Sequence, residues 1–264
     1  MFRQSLVFVH AAPQGGPDGL FLLDTGAEAT VIDQQLAAAA QLHLGRGVDL
    51  DAAGGELGAR RTGAISLNLE GGPVVRADAA VTDLSAPAKA MGLPLAGVLG
   101  MDALARFVLQ IDYAAGAVRL AEPGGLPMPA GQGAGLGADL RVTPLPFVRA
   151  VVTRQGCTVE GEFQLDTGSN TAVEFWGPFA ARAFPGARGA PGAGLGAGGP
   201  EVTERSRIDA LEVAGRRIPD LAVNLADETR PSGAGETYAG VIGAPAWAGR
   251  VLTLDFPNRR MGLS

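Results

Sequence analysis

Cysteine is almost missing from this chain. Cys157 is the only one in 264 residues, which excludes an intrachain disulfide and any thiolate metal cluster. A lone thiol of this kind is expected to be a small buried hydrophobe. His10 and His43 are the only histidines and offer no paired metal-ligand spacing. Positive charge is also short: 21 Lys and Arg stand against 27 Asp and Glu, for a net charge of −6. No basic footprint exists to neutralise a nucleic-acid backbone, so nucleic acid is not an expected partner. No stretch approaches the 18 or so uninterrupted apolar residues of a membrane-spanning helix, and neither G-x-S-x-G nor H-E-x-x-H occurs. These gaps remove the commonest serine-hydrolase and zinc-protease readings.

The opening Phe2 to His10 is too short and too interrupted for a secretory core and alternates like a first strand. Read as it stands, the chain has a cytoplasmic default. A periplasmic or membrane-anchored protein with a trimmed N-terminal segment would look the same.

Glycine and apolar residues are what the sequence has in quantity, at 40 glycines and 47% hydrophobic. That is ample apolar material for one or two domains. The chain also repeats itself. Leu22-Leu23-Asp24-Thr25-Gly26-Ala27 recurs 142 residues later as Gln164-Leu165-Asp166-Thr167-Gly168-Ser169. Ala96-Gly97-Val98-Leu99-Gly100 returns as Ala239-Gly240-Val241-Ile242-Gly243, and Val108 to Tyr113 returns as Val251 to Phe256, both at a spacing of 143. Three anchors in one order at nearly constant spacing imply a duplicated unit. Residues 123–140 hold six Gly and three Pro, a composition suited to a connection. The expected organisation is a first lobe over 1–122, a connection over 123–140 and a second lobe over 141–264.

Short apolar runs bounded by Gly, Pro and Asp dominate each half, as in Leu20 to Leu23, Ile65 to Leu69, Val108 to Ile111 and Val118 to Leu120. These are strand signals. Helical signal is confined to Gln34 to Leu42, with Asp33 as N-cap, and to Met101 to Phe107. The fold is expected to be mainly β with few short helices.

A strand, an Asp and then a glycine place a carboxylate at a tight turn where backbone N–H groups can reach it. Two such turns, each followed by a hydrophobic-hydrophobic-Gly segment about 75 residues on, resemble the aspartic protease superfamily, both its two-lobed pepsin-like enzymes and its homodimeric retropepsins. The chain looks most like a compact bacterial single-chain protein of two fused retropepsin-like halves. The resemblance implies a two-lobed β-barrel fold with pseudo-two-fold symmetry. It implies an aspartic endopeptidase acting on a peptide or protein, without cofactor or metal, with Asp24 and Asp166 as catalytic dyad. Both aspartates lie on one chain, so a monomer suffices.

Two carboxylates about 3 Å apart would repel by roughly 5–6 kcal/mol at an effective dielectric near 20, so one proton is shared, as is known for such dyads. Thr25 and Thr167 match the family threonines that lock the two loops together. Gly26 and Gly168 match the glycines that let the backbones approach, and Ala27 and Ser169 occupy the next position. Ser169 carries a hydroxyl that Ala27 lacks, and a donation to Asp166 would make Asp166 the base and Asp24 the acid. Flaps are implied at Ala53, Gly54 and Gly55 and, in the second half, at Gly198 and Gly199. The alternative is a retropepsin-like module that binds peptides or partners without turnover.

Overall fold

Gln4 and Ser5 both take left-handed backbone, with φ of 51° and 66°, so the chain doubles back at its start. Strand β1 (Phe2–Arg3) pairs antiparallel with β2 (Leu6–Pro13). The single first strand expected from the alternation of Phe2 to His10 is therefore a hairpin, because two consecutive residues at positive φ reverse the chain.

The computed structural model describes residues 1–52, 55–129, 138–142, 144–185, 189–196, 199–226 and 238–264. The first half continues with β3 (Gly19–Leu23), β4 (Val31–Asp33), α1 (Gln34–Ala39), β5 (Gly47–Ala52), β6 (Gly55–Leu69), β7 (Val74–Thr82), α2 (Ser85–Met91), β8 (Leu95–Leu99), α3 (Met101–Leu104), β9 (Val108–Asp112) and β10 (Ala117–Ala121). The second contains β11 (Ala138–Asp139), β12 (Arg141–Val142), β13 (Pro146–Arg154), β14 (Cys157–Asp166), β15 (Val173–Phe175), α4 (Gly177–Ala183), β16 (Ala190–Gly196), β17 (Gly199–Val213), β18 (Arg216–Ala226), β19 (Tyr238–Gly243), a 3-10 turn (Ala244–Trp247), β20 (Val251–Asp255) and β21 (Arg260–Leu263).

The architecture is mainly β and two-lobed. One eight-stranded sheet runs β1-β2-β3-β8-β4-β7-β6-β5, and the other runs β12-β13-β14-β19-β15-β18-β17-β16. Strand for strand the order is the same. An extra β2–β6 pairing closes six strands of the first sheet into a ring, and β13–β17 does so in the second. A third sheet, β10-β9-β20-β21-β11, takes strands from both halves. Its central pair is antiparallel, with Leu109 opposite Leu254 and Ile111 opposite Leu252. β11 lies inside the segment read as a connection and adds to the outer edge of β21.

Alternation decides which face each strand buries. Phe21, Leu23, Ile32, Leu99, Phe163, Leu165, Phe175 and Ile242 belong to one apolar cluster that runs through both lobes, with Trp247 also fully buried in it. The expected helix N-cap is present: the Asp33 side chain accepts from Gln35 N–H at 2.8 Å. Helix α1 stops at Ala39, short of Leu42, and Gln41 follows with φ of 54°. Cys157 is exposed rather than buried, because it follows the Gln155-Gly156 turn at the tip of the β13–β14 hairpin. Among the described residues no helix is long and apolar enough to cross a membrane.

Candidate active site

Each Asp-Thr-Gly turn is held by the strand that runs parallel to the one before it. β3 pairs with β8, placing Leu22 opposite Val98 and Leu23 opposite Leu99, and Asp24 N–H donates to Leu99 C=O at 3.0 Å. In the second lobe β14 pairs with β19, placing Gln164 opposite Val241 and Asp166 opposite Gly243. The turn then folds against the end of the parallel strand: Met101 N–H donates to Ala27 C=O at 2.8 Å, and Ala244 N–H to Ser169 C=O at 3.0 Å.

Asp102 braces the first loop. Its carboxylate accepts from Thr30 N–H and Thr30 Oγ1, at 2.8 and 2.7 Å, and from the N–H groups of Asp78 and Ala103. Burial raises its pKa despite these four donors.

The two turns meet across the pseudo-two-fold axis through a reciprocal set of hydrogen bonds. Thr25 Oγ1 donates to Leu165 C=O at 2.7 Å and accepts from Thr167 N–H at 3.1 Å. Thr167 Oγ1 donates to Leu23 C=O at 2.8 Å and accepts from Thr25 N–H at 3.1 Å. Both threonines are buried, so these are four desolvated bonds between lobes.

Gly26 and Gly168 stand against the opposite carboxylates. A Cβ on Gly26 would lie 2.6 Å from both Asp166 oxygens, and one on Gly168 2.5 Å from both Asp24 oxygens. Gly168→Ala is therefore expected to force the turns apart, at a cost of about 1–3 kcal/mol by overpacking. A thermal melt together with a turnover assay checks this, and unchanged behaviour in both would mean that the turns tolerate separation.

Asp24 and Asp166 hydrogen-bond to each other through their side chains. Gly26 N–H donates to Asp24 Oδ1 at 2.7 Å, and Gly168 N–H to Asp166 Oδ1 at 2.8 Å. Burial raises both carboxyls above the ordinary range. For Asp24 the Asp166 side chain and the N–H groups of Gly26, Ala27 and Gly168 oppose the rise. For Asp166 the Asp24 charge and side chain add to it, with Gly168 and Ser169 N–H opposing. Both members of the pair are thus held above the ordinary carboxylate range, chiefly by burial. In the second turn Ser169 Oγ accepts from Thr171 N–H at 3.2 Å, and the Ser169 backbone N–H reaches Asp166.

The expected flap tips fall partly outside the described residues. Ala53, Gly54 and Gly198 lie there, whereas Gly55 and Gly199 are the first residues of β6 and β17. The flanking strands form antiparallel hairpins, with Ala52 opposite Gly55 and Gly196 opposite Gly199. One feature near the dyad gave no sequence signal. The Tyr113 hydroxyl is buried without a partner among the described residues, and burial, then the Asp166 charge, push its pKa well above the ordinary tyrosine range. No motif announces it, because its nearness to Asp166 arises from tertiary packing.

No curated protein matches the chain. The family model described as gag-polyprotein putative aspartyl protease matches residues 15–106, a span that contains the first Asp-Thr-Gly turn and the Val98-Leu99-Gly100 segment beside it. Over that span the chain is similar to aspartyl proteases, and the match together with the two-lobed β architecture supports the aspartic protease superfamily.

Proposed function

We propose that the chain is an aspartic endopeptidase whose dyad is Asp24 and Asp166. The observation that carries the reading is the hydrogen-bonded pair of partly accessible carboxylates on symmetry-related turns. In this reading the ionised member of the Asp24–Asp166 pair takes a proton from a water, whose oxygen attacks the peptide carbonyl carbon, while the protonated member gives its proton to the carbonyl oxygen. The tetrahedral diol then collapses. Its C–N bond breaks as the nitrogen receives a proton from the dyad, and a diol hydroxyl returns one, so the pair ends with a single proton. The substrate lies extended between the β5–β6 and β16–β17 hairpins, pairing mainly through its backbone.

Cleavage of a peptide library, blocked by pepstatin-like statine inhibitors, tests the reading; saturable binding without turnover from acid to neutral pH would favour a non-catalytic peptide-binding module. The pH profile tests it further. Activity needs the pair to hold a single proton, so the rate falls as pH drops through the pair's first titration step and as it rises through the second. Because both are raised from 3.8, both limbs of the bell are expected above that value. A profile without an acidic limb in that range would overturn the dyad assignment.

A further inference from the structure

The connection between β7 and β8 has to cross a strand. The sheet order places β4 between them, so the chain that leaves β7 at Thr82 and enters β8 at Leu95 passes over one face of β4. Ile32 belongs to the core cluster. Val31 lies in a second cluster with Leu22 and Val98, and Leu84, Ala88 and Met91 of the connection pack into that same cluster. Helix α2 therefore crosses on the face of Val31. Alternation puts Asp24 on this face too, two residues beyond Leu22 at the end of β3.

The helix is lightly held. It has seven residues, none of them buried, and its N-cap Leu84 makes no side-chain capping bond. So short a helix has little stability of its own. Beneath it Val31 and Val98 are only half-buried. A side chain from elsewhere in the lobe pins each end. At the root Leu84 is buried, and its N–H donates to Asp33 Oδ2 at 3.0 Å. At the far end Arg3 Nη1 donates to Gly92 C=O at 3.1 Å in an exposed position, where Gly92 takes φ of 60°. The root anchor is specific to this lobe. Val31 lies opposite Val98 as Glu174 lies opposite Val241, so Trp176, whose indole accepts no hydrogen bond, stands where Asp33 does.

We propose that α2 is a displaceable cover over the aliphatic patch beside Asp24: an aliphatic substrate side chain next to the cut bond takes the place of Ala88 and Met91, and the helix swings outward about Leu84 as the Arg3–Gly92 latch opens. This rests on the endopeptidase reading. The resting protein holds its own side chains where part of the substrate goes, so its apparent affinity is reduced by the fraction of time the cover is shut. A peptide with no side chain beside the cut bond gains nothing from opening it.

The test is hydrogen exchange of the full chain, read by mass spectrometry over residues 84–93, where Ala88 and Leu93 N–H are hydrogen-bonded in the closed helix. The probes are two octapeptides built on the best-bound library sequence, one with leucine at both flanks of the cut bond and one with glycine there, each saturating Asp24→Asn. The leucine peptide is expected to speed exchange of these amides by about tenfold or more, and the glycine peptide to leave it unchanged. Arg3→Ala, which removes only the exposed latch, is expected to speed exchange in the free protein. It should also lower KM for the leucine peptide by about two- to tenfold, the factor that one hydrogen bond contributes, with kcat unchanged. Binding of the leucine peptide that leaves exchange over 84–93 unchanged, or slows it, would overturn the cover and leave the endopeptidase reading standing. An Arg3→Ala chain with unchanged exchange and KM would do the same. Binding that speeds exchange, with no turnover by wild type, would overturn the endopeptidase reading alone. If no library peptide binds wild type, Asp24→Asn or Arg3→Ala, both fall.

Discussion

Asp24→Asn is expected to lower peptide turnover by about 10^4-fold, the upper end of what a positioned acid–base group supplies. An amide can neither take the proton from the attacking water nor share one with Asp166. Asp166→Asn should lose a comparable factor, and the double variant should be scarcely worse than either single one, because groups that act as a unit are not additive. Stability should move the other way. Both carboxyls titrate in the folded state above their ordinary value of 3.8, for which burial is the largest cause. A raised carboxyl contributes stability that is present below its unfolded pKa and is lost as pH rises through the folded one. At neutral pH Asp166→Asn should therefore melt above wild type, with the difference shrinking as pH falls toward 4. Melting curves between about pH 4 and 8, run beside a peptide assay, check both halves. A variant that lost activity and melted lower throughout would mark the pair as a structural element.

Thr25→Val should carry the largest structural penalty of any single methyl-for-hydroxyl exchange in the chain. It strands Thr167 N–H and Leu165 C=O, which the hydroxyl serves at 3.1 and 2.7 Å, in a buried interface. At about 1–3 kcal/mol for each unsatisfied group, the loss comes to about 2–6 kcal/mol, or a fall of about 4–24 °C in Tm for a domain of this size. Thr25→Ser keeps the hydroxyl and should stay close to wild type. Thr167→Val should cost a similar amount by the symmetry of the bonds, and a double-mutant cycle should show strong coupling, since the two hydroxyls bridge the same pair of turns. Equal stability of the valine and serine variants would show that the cross-lobe bonds contribute nothing net.

Much of this arrangement is legible in the sequence, for identifiable reasons. The repeated Asp-Thr-Gly could be found because a turn that brings backbone against a carboxylate tolerates few residues, and the strands before it because they are short apolar runs. One difference between the lobes was hidden by a shift of one residue. Asp24 and Asp166 are 142 apart, but in the sheet Val31 corresponds to Glu174 rather than to Val173. Only the strand register shows that one lobe's aliphatic patch has become polar in the other.

Helix α2 was invisible for a different reason. Its core, Ser85-Ala86-Pro87-Ala88-Lys89-Ala90-Met91, has little periodicity and takes its place from contact of Ala88 and Met91 with the apolar cluster around Leu6, Phe8 and Leu22.

The sheet shared by the two halves has a consequence for how such a protein behaves at low concentration. β9 and β20 are neighbours there on one continuous chain, so the encounter that brings the second aspartate to the first is unimolecular. Its effective molarity is set by the tether and not by the amount of protein. Dilution cannot strip one half of the other, and the pairing is as complete for a single molecule as for a crowded solution.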